Sequence, residues 1–278
     1  ASALRIVVPG LERSTRVLHL TDTHICRPDV GSPHEAACQK ERSRRPAEEQ
    51  EAHFANLLQR AAEADIDLLL LTGDIVHFPA QTSIQFVRAL LNSTGKPWLY
   101  VPGNHDWYYP GQRPDTALRL VQSPLLAPLF GSQGPSLCYR HEQNGLQFLG
   151  VDNSTYQIEV EQLTFARECL QNELPTVVLI HIPITQPHLR APTIAKWRDP
   201  ILMGDTIEDS RRALWAWEPD RAETTQFIEL LRAATNLVAI FCGHVHFAHD
   251  ERFSDSAIQL VGAPGFEGGF RVVEFQPG

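Results

Sequence analysis

Five short stretches of the chain gather side chains able to bind a metal ion or move a proton. They are Asp22 and His24 in LTDTHI, Asp74 in LTGDIV, Asn104, His105 and Asp106 in PGNHDW, His181 in LIHIPI, and His244 and His246 in FCGHVHF. Each follows an apolar run: RVLHL, DLLLL, WLYV, TVVLI and LVAIF. Carboxylate, amide and imidazole donors make the mixed N/O set that suits borderline divalent metals. In extended backbone, residues i and i+2 project to the same side, so Asp22 with His24, and His244 with His246, can each aim two donors at one point. One stretch alone means little: a D-x-H is common, Asn104 suits a turn, and a lone strand histidine such as His181 is usually a hydrogen-bonded core residue. Five in series mean more, because burying several carboxylates and imidazoles without a cation is costly, and a dinuclear cation site relieves that cost.

The elements that must position these residues follow from the same runs, which read as buried strands at 16–20, 67–71, 98–101, 176–180 and 237–241. The donors fall where each run ends, and α/β sheets gather ligands at the carboxyl edges of their strands. Phe54, Leu57, Leu58, Ala61 and Ala62 recur at helical spacing, and TSIQFVRALLNSTG reads as a second helix ending at Gly95. The early half is therefore built like βαβ units. Asn144-Gly145 predicts a tight hairpin between SLCYRHEQ and LQFLGVD, and AIQLVG and FRVVEF read as late strands. Two stretches break the rhythm, at about 27–46 and 185–219. The second carries Trp197, Trp215 and Trp217, which either fold over a site as an aromatic wall or pack into a satellite cluster of their own.

Composition bounds the class. A chain of 278 residues with 43% apolar side chains buries a large core and is expected to be globular and soluble. The expected organisation is one domain over 1–278 with the two stretches as insertions, the second able to act as a cap. A formal charge of −9 argues against a sequence-blind nucleic-acid binder, and no basic stripe or phosphate-cradling glycine loop points to one. The five cysteines are irregularly spaced and lack a C-x-x-C pair, so neither a disulfide framework nor a zinc ribbon is indicated. With no apolar run near 18 residues and no signal-peptide core in ASALRIVVPGLERS, a cytoplasmic chain without a membrane partner is expected. The absence of an initial Met leaves a removed leader open.

The ordered series D-x-H, G-D, G-N-H-D, H, G-H-x-H resembles the calcineurin-like metallophosphoesterases from Asp22 to His246, its bacterial phosphodiesterase-like branch in particular. The resemblance implies an α/β fold, a four-layer α/β/β/α sandwich of two mixed sheets with a metal site along their shared edge. It implies two divalent metal ions as cofactors, Mn, Fe, Zn or Co. Asp22, His24 and His246 would hold one ion, Asn104, His181 and His244 the other, and Asp74 both. Such a pair, about 3.5–4 Å apart, acidifies a shared water and clamps phosphate oxygens during an in-line displacement. Only Asp22 and Asp74 are anionic in this set, so the loaded site is net cationic and attracts phosphate.

In the same resemblance His105 is the histidine that meets the leaving-group oxygen. Asp106 is expected to orient its imidazole and favour the protonated form, or else to cap the loop by binding backbone amides. Purple acid phosphatases carry a ligand Tyr three residues after the bridging Asp and usually read G-N-H-E; here His77 and G-N-H-D stand instead, and His77 reads either as a residue backing a ligand or, preferably, as a loop residue. Asn104, His105, Trp107 and Tyr108 are the expected substrate contacts, the two aromatic rings by stacking on a base or sugar, or by packing under the insertion. The implied partner is a small phosphodiester or phosphomonoester. A nuclease of the same fold and a non-catalytic interaction module are the alternatives. Oligomeric state is not legible.

Overall fold

The computed structural model describes residues 3–131 and 133–278. Its strands, in chain order, are β1 (Leu4–Val8), β2 (Thr15–Leu20), β3 (Leu68–Thr72), β4 (Trp98–Val101), β5 (Cys138–Gln143), β6 (Leu146–Val151), β7 (Thr176–Leu179), β8 (Leu237–Cys242), β9 (His249–Arg252), β10 (Ile258–Val261) and β11 (Arg271–Pro277). They form two mixed sheets, β1-β11-β2-β3-β4 and β5-β6-β7-β8-β10-β9. In the first, β2, β3 and β4 run parallel; in the second, β6, β7, β8 and β10 do. Every residue of β3 and β6 is buried, which explains why such strands read as continuous apolar runs and not as an alternation.

The alternation within the second sheet separates two cores. Phe148, Val177, Leu179, Ala239 and Phe241 join a cluster shared with Val17, Leu20 and Leu99 of the first sheet, so the sheets face each other. Their neighbours Leu149, Val178, Ile180, Ile240 and Cys242 point the other way, against Leu163 and Ala166 of one helix and Phe227 and Leu231 of another. Those helices are α5 (Val160–Leu170) and α8 (Ala222–Ala233), and α4 (Thr116–Gln122) precedes both in the chain. On the far side of the first sheet lie Ala47–Glu63 and Gln81–Ser93, here α2 and α3, which contribute Phe54, Leu58, Ile84 and Val87. This is the expected four-layer α/β/β/α sandwich. Each buried Leu or Phe stabilises it by about 1.5–3 kcal/mol. Among the described residues, no helix is long and apolar enough to cross a membrane.

The hairpin at Asn144-Gly145 forms as expected, with φ of 53° and 83° at the two turn residues. The 27–46 stretch contains a helix, α1 (Glu35–Arg42), tied to α2 through Arg27 and Arg42, both of which bond Glu51. The 185–219 stretch contains α6 (Pro187–Trp197) and the short α7 (Arg212–Trp215), held together where Arg211 and the Trp215 indole N–H both donate to Asp199.

Candidate metal centre

All seven expected donors converge where the parallel strands of the two sheets end. Asp22 and His24 follow β2, Asp74 follows β3, Asn104 follows β4, His181 follows β7, and His244 and His246 follow β8. One ligand atom each from Asp22, His24, Asp74 and His246 fall within 4.8 Å of one another. Their closest approaches are 3.1 Å between His24 Nε2 and His246 Nε2, 3.4 Å between His246 Nε2 and Asp22 Oδ1, and 3.7 Å between His24 Nε2 and Asp74 Oδ2. On the other side of Asp74, His181 Nε2 stands 3.3 Å from Oδ2, and His244 Nδ1 stands 2.9 Å from Asn104 Oδ1.

The turns that bring these donors together are strained. Of the ten non-glycine residues with positive φ among the described residues, five are Asp22 (52°), His24 (46°), Asp74 (52°), His244 (71°) and His246 (57°). The expectation that the D-x-H and H-x-H pairs converge in extended backbone therefore needs correcting: they converge in left-handed turns. Such backbone persists when its surroundings over-determine it, and it concentrates at functional sites. Here the surroundings are a second ladder beyond the strand ends, with Asp22 N–H donating to Gly73 O at 3.0 Å and His24 N–H to Asp74 O at 2.8 Å. Close approach also demands glycine: a Cβ on Gly103 would overlap the Asp74 side chain, and one on Gly243 would overlap Thr21 and Asp22.

Hydrogen bonding at the rear of the imidazoles decides what their front atoms can do. His181 Nδ1 is 2.7 Å from the Thr72 carbonyl, which can only accept, so this nitrogen carries the proton. Nε2 is then a lone pair, wholly buried, facing a carboxylate oxygen and making no hydrogen bond among the described residues. Two acceptors at that range repel unless a cation stands between them, so the donors fit divalent metal. Against the cost of burial, Asp74 and the Thr72 carbonyl push the His181 pKa up to about 9; in the bare protein a proton takes the cation's part. Tyr156 OH lies 2.9 Å from His244 Nε2 and backs the ring whose Nδ1 faces Asn104. His24, burdened by burial and by the neighbouring His77, His246 and His105 despite Asp74, is held well below the usual imidazole range and is neutral, as a ligand must be.

Two expectations are overturned. Asp106 does not orient His105: its carboxylate accepts from the backbone amides of Gly103 (2.6 Å), Asp74 (2.8 Å) and Val76 (2.8 Å), fixing the two loops to each other. The loop-capping alternative is the one observed. Burial, with His246 and His181 nearby, lowers the His105 pKa in spite of Asp74. Trp107 is fully buried and donates its indole N–H to Ser154 at 3.0 Å, which removes it from any substrate contact. Tyr108, by contrast, lines a cavity of about 260 Å³ together with Asp74, Asn104, His105, His244 and His246.

The 185–219 stretch closes that cavity with Trp197, Ile201, Leu214 and Trp215. Trp197 donates to the Val245 carbonyl at 2.9 Å and meets His246 edge-on at 5.2 Å, while its ring and that of Trp215 pack at 5.9 Å. The aromatic-wall reading thus describes Trp197 and Trp215, whereas Trp217 is buried in the adjoining core.

The sequence of the calcineurin-like phosphoesterase family matches residues 15–248, which span every donor described above. The chain belongs to this family. It is 27% identical over 204 residues to a 3',5'-cyclic adenosine monophosphate phosphodiesterase of Haemophilus influenzae, covering 70% of this chain and 61% of that protein. To a glycerophosphodiester phosphodiesterase of Enterobacter lignolyticus it is 27% identical over 187 residues, covering 65% and 56%. The chain therefore spans only about three fifths of the length of these curated relatives. In fold it is similar to a dimetal phosphatase from Danio rerio, with a TM-score of 0.59 at 12% identity over 93% of this chain and 91% of the other. A purple acid phosphatase from yellow lupin seeds gives 0.54 at 16% identity, over 95% and 46%.

Of two residues packed behind these donors, the sequence reading preferred a bland role for His77 and missed Tyr156. His77 is no bystander: its Nδ1 lies 3.0 Å from His24 Nδ1, its ring stacks on His105 at 4.6 Å, and its Nε2 is 3.9 Å from Glu41 of α1. The signal was its offset of three from Asp74, the place where purple acid phosphatases keep a ligand. Tyr156, behind His244, had no such signal, because it lies in a loop far from any donor motif.

Proposed function

We propose that the protein is a metal-dependent phosphoesterase that hydrolyses small phosphodiesters, with Asp22, His24 and His246 holding one divalent ion, Asn104, His181 and His244 a second, and Asp74 shared. The observation that carries this reading is the buried Nε2 of His181, 3.3 Å from Asp74 Oδ2 and without a hydrogen-bond partner among the described residues, a geometry that suits a cation shared between them. When bound, such ions supply an acidified water and positive charge against the phosphate oxygens. The donors contain no thiolate, since the Cys26 and Cys242 sulfurs face the carbonyls of Cys38 and Leu260, which leaves Mn, Fe, Zn or Co as the metals of choice.

The chain's own residues do the rest. His105, fixed by its backbone bond to Asp74 Oδ1 at 2.8 Å, presents its imidazole to the leaving-group oxygen or to charge developing on it. Tyr108, Leu214 and Trp215 form an apolar wall for one ester substituent and exclude water beside the scissile bond. The two insertions belong to this single catalytic unit in our reading. Both curated relatives are named for diesters, which supports the diester preference.

The test is a panel on metal-reconstituted protein: bis-p-nitrophenyl phosphate, p-nitrophenyl phosphate, 3',5'-cyclic AMP, a glycerophosphodiester and single-stranded DNA. Diesters turned over faster than the monoester and the DNA are the expected result. Cleavage of DNA alone would support the nuclease. No turnover with metal bound would support the interaction module.

A further inference from the structure

His105 and Tyr108 line a second cavity as well, of about 370 Å³, whose remaining wall includes Ala37, Lys40, Glu41 and Arg44 of the 27–46 stretch. The two cavities share the walls of His105 and Tyr108 but differ in chemistry. The first is lined by no lysine or arginine among the described residues, and the second has one of each. Glu41 is outnumbered there: Arg44 reaches it at 3.1 Å and Arg45 at 3.7 Å, while Lys40 adds a further cation. The Arg44 side chain remains 63% exposed and Lys40 is exposed, so both heads can turn to a ligand. In a chain of net charge −9 with three lysines in all, a cationic hollow beside the site is a local reversal of sign.

We propose that this hollow is a subsite for a second phosphate on the substrate, so that the preferred substrates are phosphodiesters bearing another phosphate beyond the scissile one. A phosphate dianion suits an ammonium and a guanidinium together, because each makes charge-assisted hydrogen bonds to different oxygens. One ester substituent lies against the wall of Leu214 and Trp215, and the phosphorylated one extends past His105 to Lys40 and Arg44. This rests on the function proposed above.

Binding and turnover separate the two ideas. Calorimetric titration of manganese-loaded protein with thymidine 3',5'-bisphosphate and with thymidine 5'-monophosphate is expected to give about tenfold tighter binding of the bisphosphate. A Lys40→Ala/Arg44→Ala variant with wild-type metal content should bind both alike, and a Lys40→Arg/Arg44→Lys variant should keep the preference. Equal affinities in the wild type, or a preference that survives the double alanine substitution, would overturn the subsite. Turnover of thymidine 5'-(p-nitrophenyl phosphate) and its 3'-phosphorylated form, which share one scissile bond, should show the same tenfold preference in kcat/KM, arising in KM. Absence of turnover for both, with metal bound, would overturn the proposed function, and the calorimetric difference would still decide the subsite.

Discussion

The two sheets bring different chemistry to the same rim. The first, through the turns after β2, β3 and β4, supplies both carboxylates, Asp22 and Asp74, with His24, Asn104 and His105; the second, after β7 and β8, supplies only the imidazoles of His181, His244 and His246. Neither half is a complete donor set. Separately, one would bury anions and the other would bury neutral donors, and both would do so in strained turns. The centre therefore exists only where the shared apolar core, from Val17 and Leu99 across to Val177 and Phe241, holds the sheets face to face. Folding assembles the site, because the donors of the two halves meet only where the sheets do.

Removing an anion from the first sheet should do most damage. Asp74→Ala is expected to lose both metals by elemental analysis and to slow turnover roughly a thousandfold or more, several kcal/mol of transition-state stabilisation. His181→Ala, from the second sheet, should lose about half the metal instead; equal losses from the two substitutions would break the contrast. His105→Ala tests a first-sheet residue that is not a donor: metal content should hold while kcat falls by about 10²–10⁴. That fall should be steeper on poor leaving groups, and an equal fall across leaving groups would rule out contact with the departing oxygen.

Asp106→Ala sharpens the difference between holding loops and doing chemistry. It strands three buried amides, so a loss of roughly 3 kcal/mol or more in urea denaturation is expected. Unchanged stability with an altered pH profile would restore the abandoned role as partner of His105. His77→Ala should be mildest. With His24 no longer backed by a ring nitrogen, metal affinity should drop about 10–100-fold in a competition titration, and His77→Gln should recover part of it.

The donor blocks were legible because each follows an apolar run, and those runs became β2, β3, β4, β7 and β8 within a residue or two. Helices α2 and α3 announced themselves by their periodic Phe54, Leu57, Ile84 and Val87. What periodicity does not carry was missed. Strand β9 reads HDER, a charged edge whose polarity discourages further pairing and hides it from any hydrophobic pattern. The adjacency of Asp106 and His105 suggested a contact, yet in the turn after β4 the two side chains diverge: one carboxylate is turned inward to three amides, and the ring is turned outward to His77 and Tyr108. His77 and Tyr156 act from behind the donors, and only the fold shows which side chain backs which.

Anomalous diffraction from crystals grown with manganese tests the central claim most directly. Two peaks should lie on opposite sides of Asp74, one within bonding range of His24 and His246 and the other of His181 and His244, both touching the same carboxylate. A lone peak, or a pair that leaves Asp74 without a metal contact, would contradict the account.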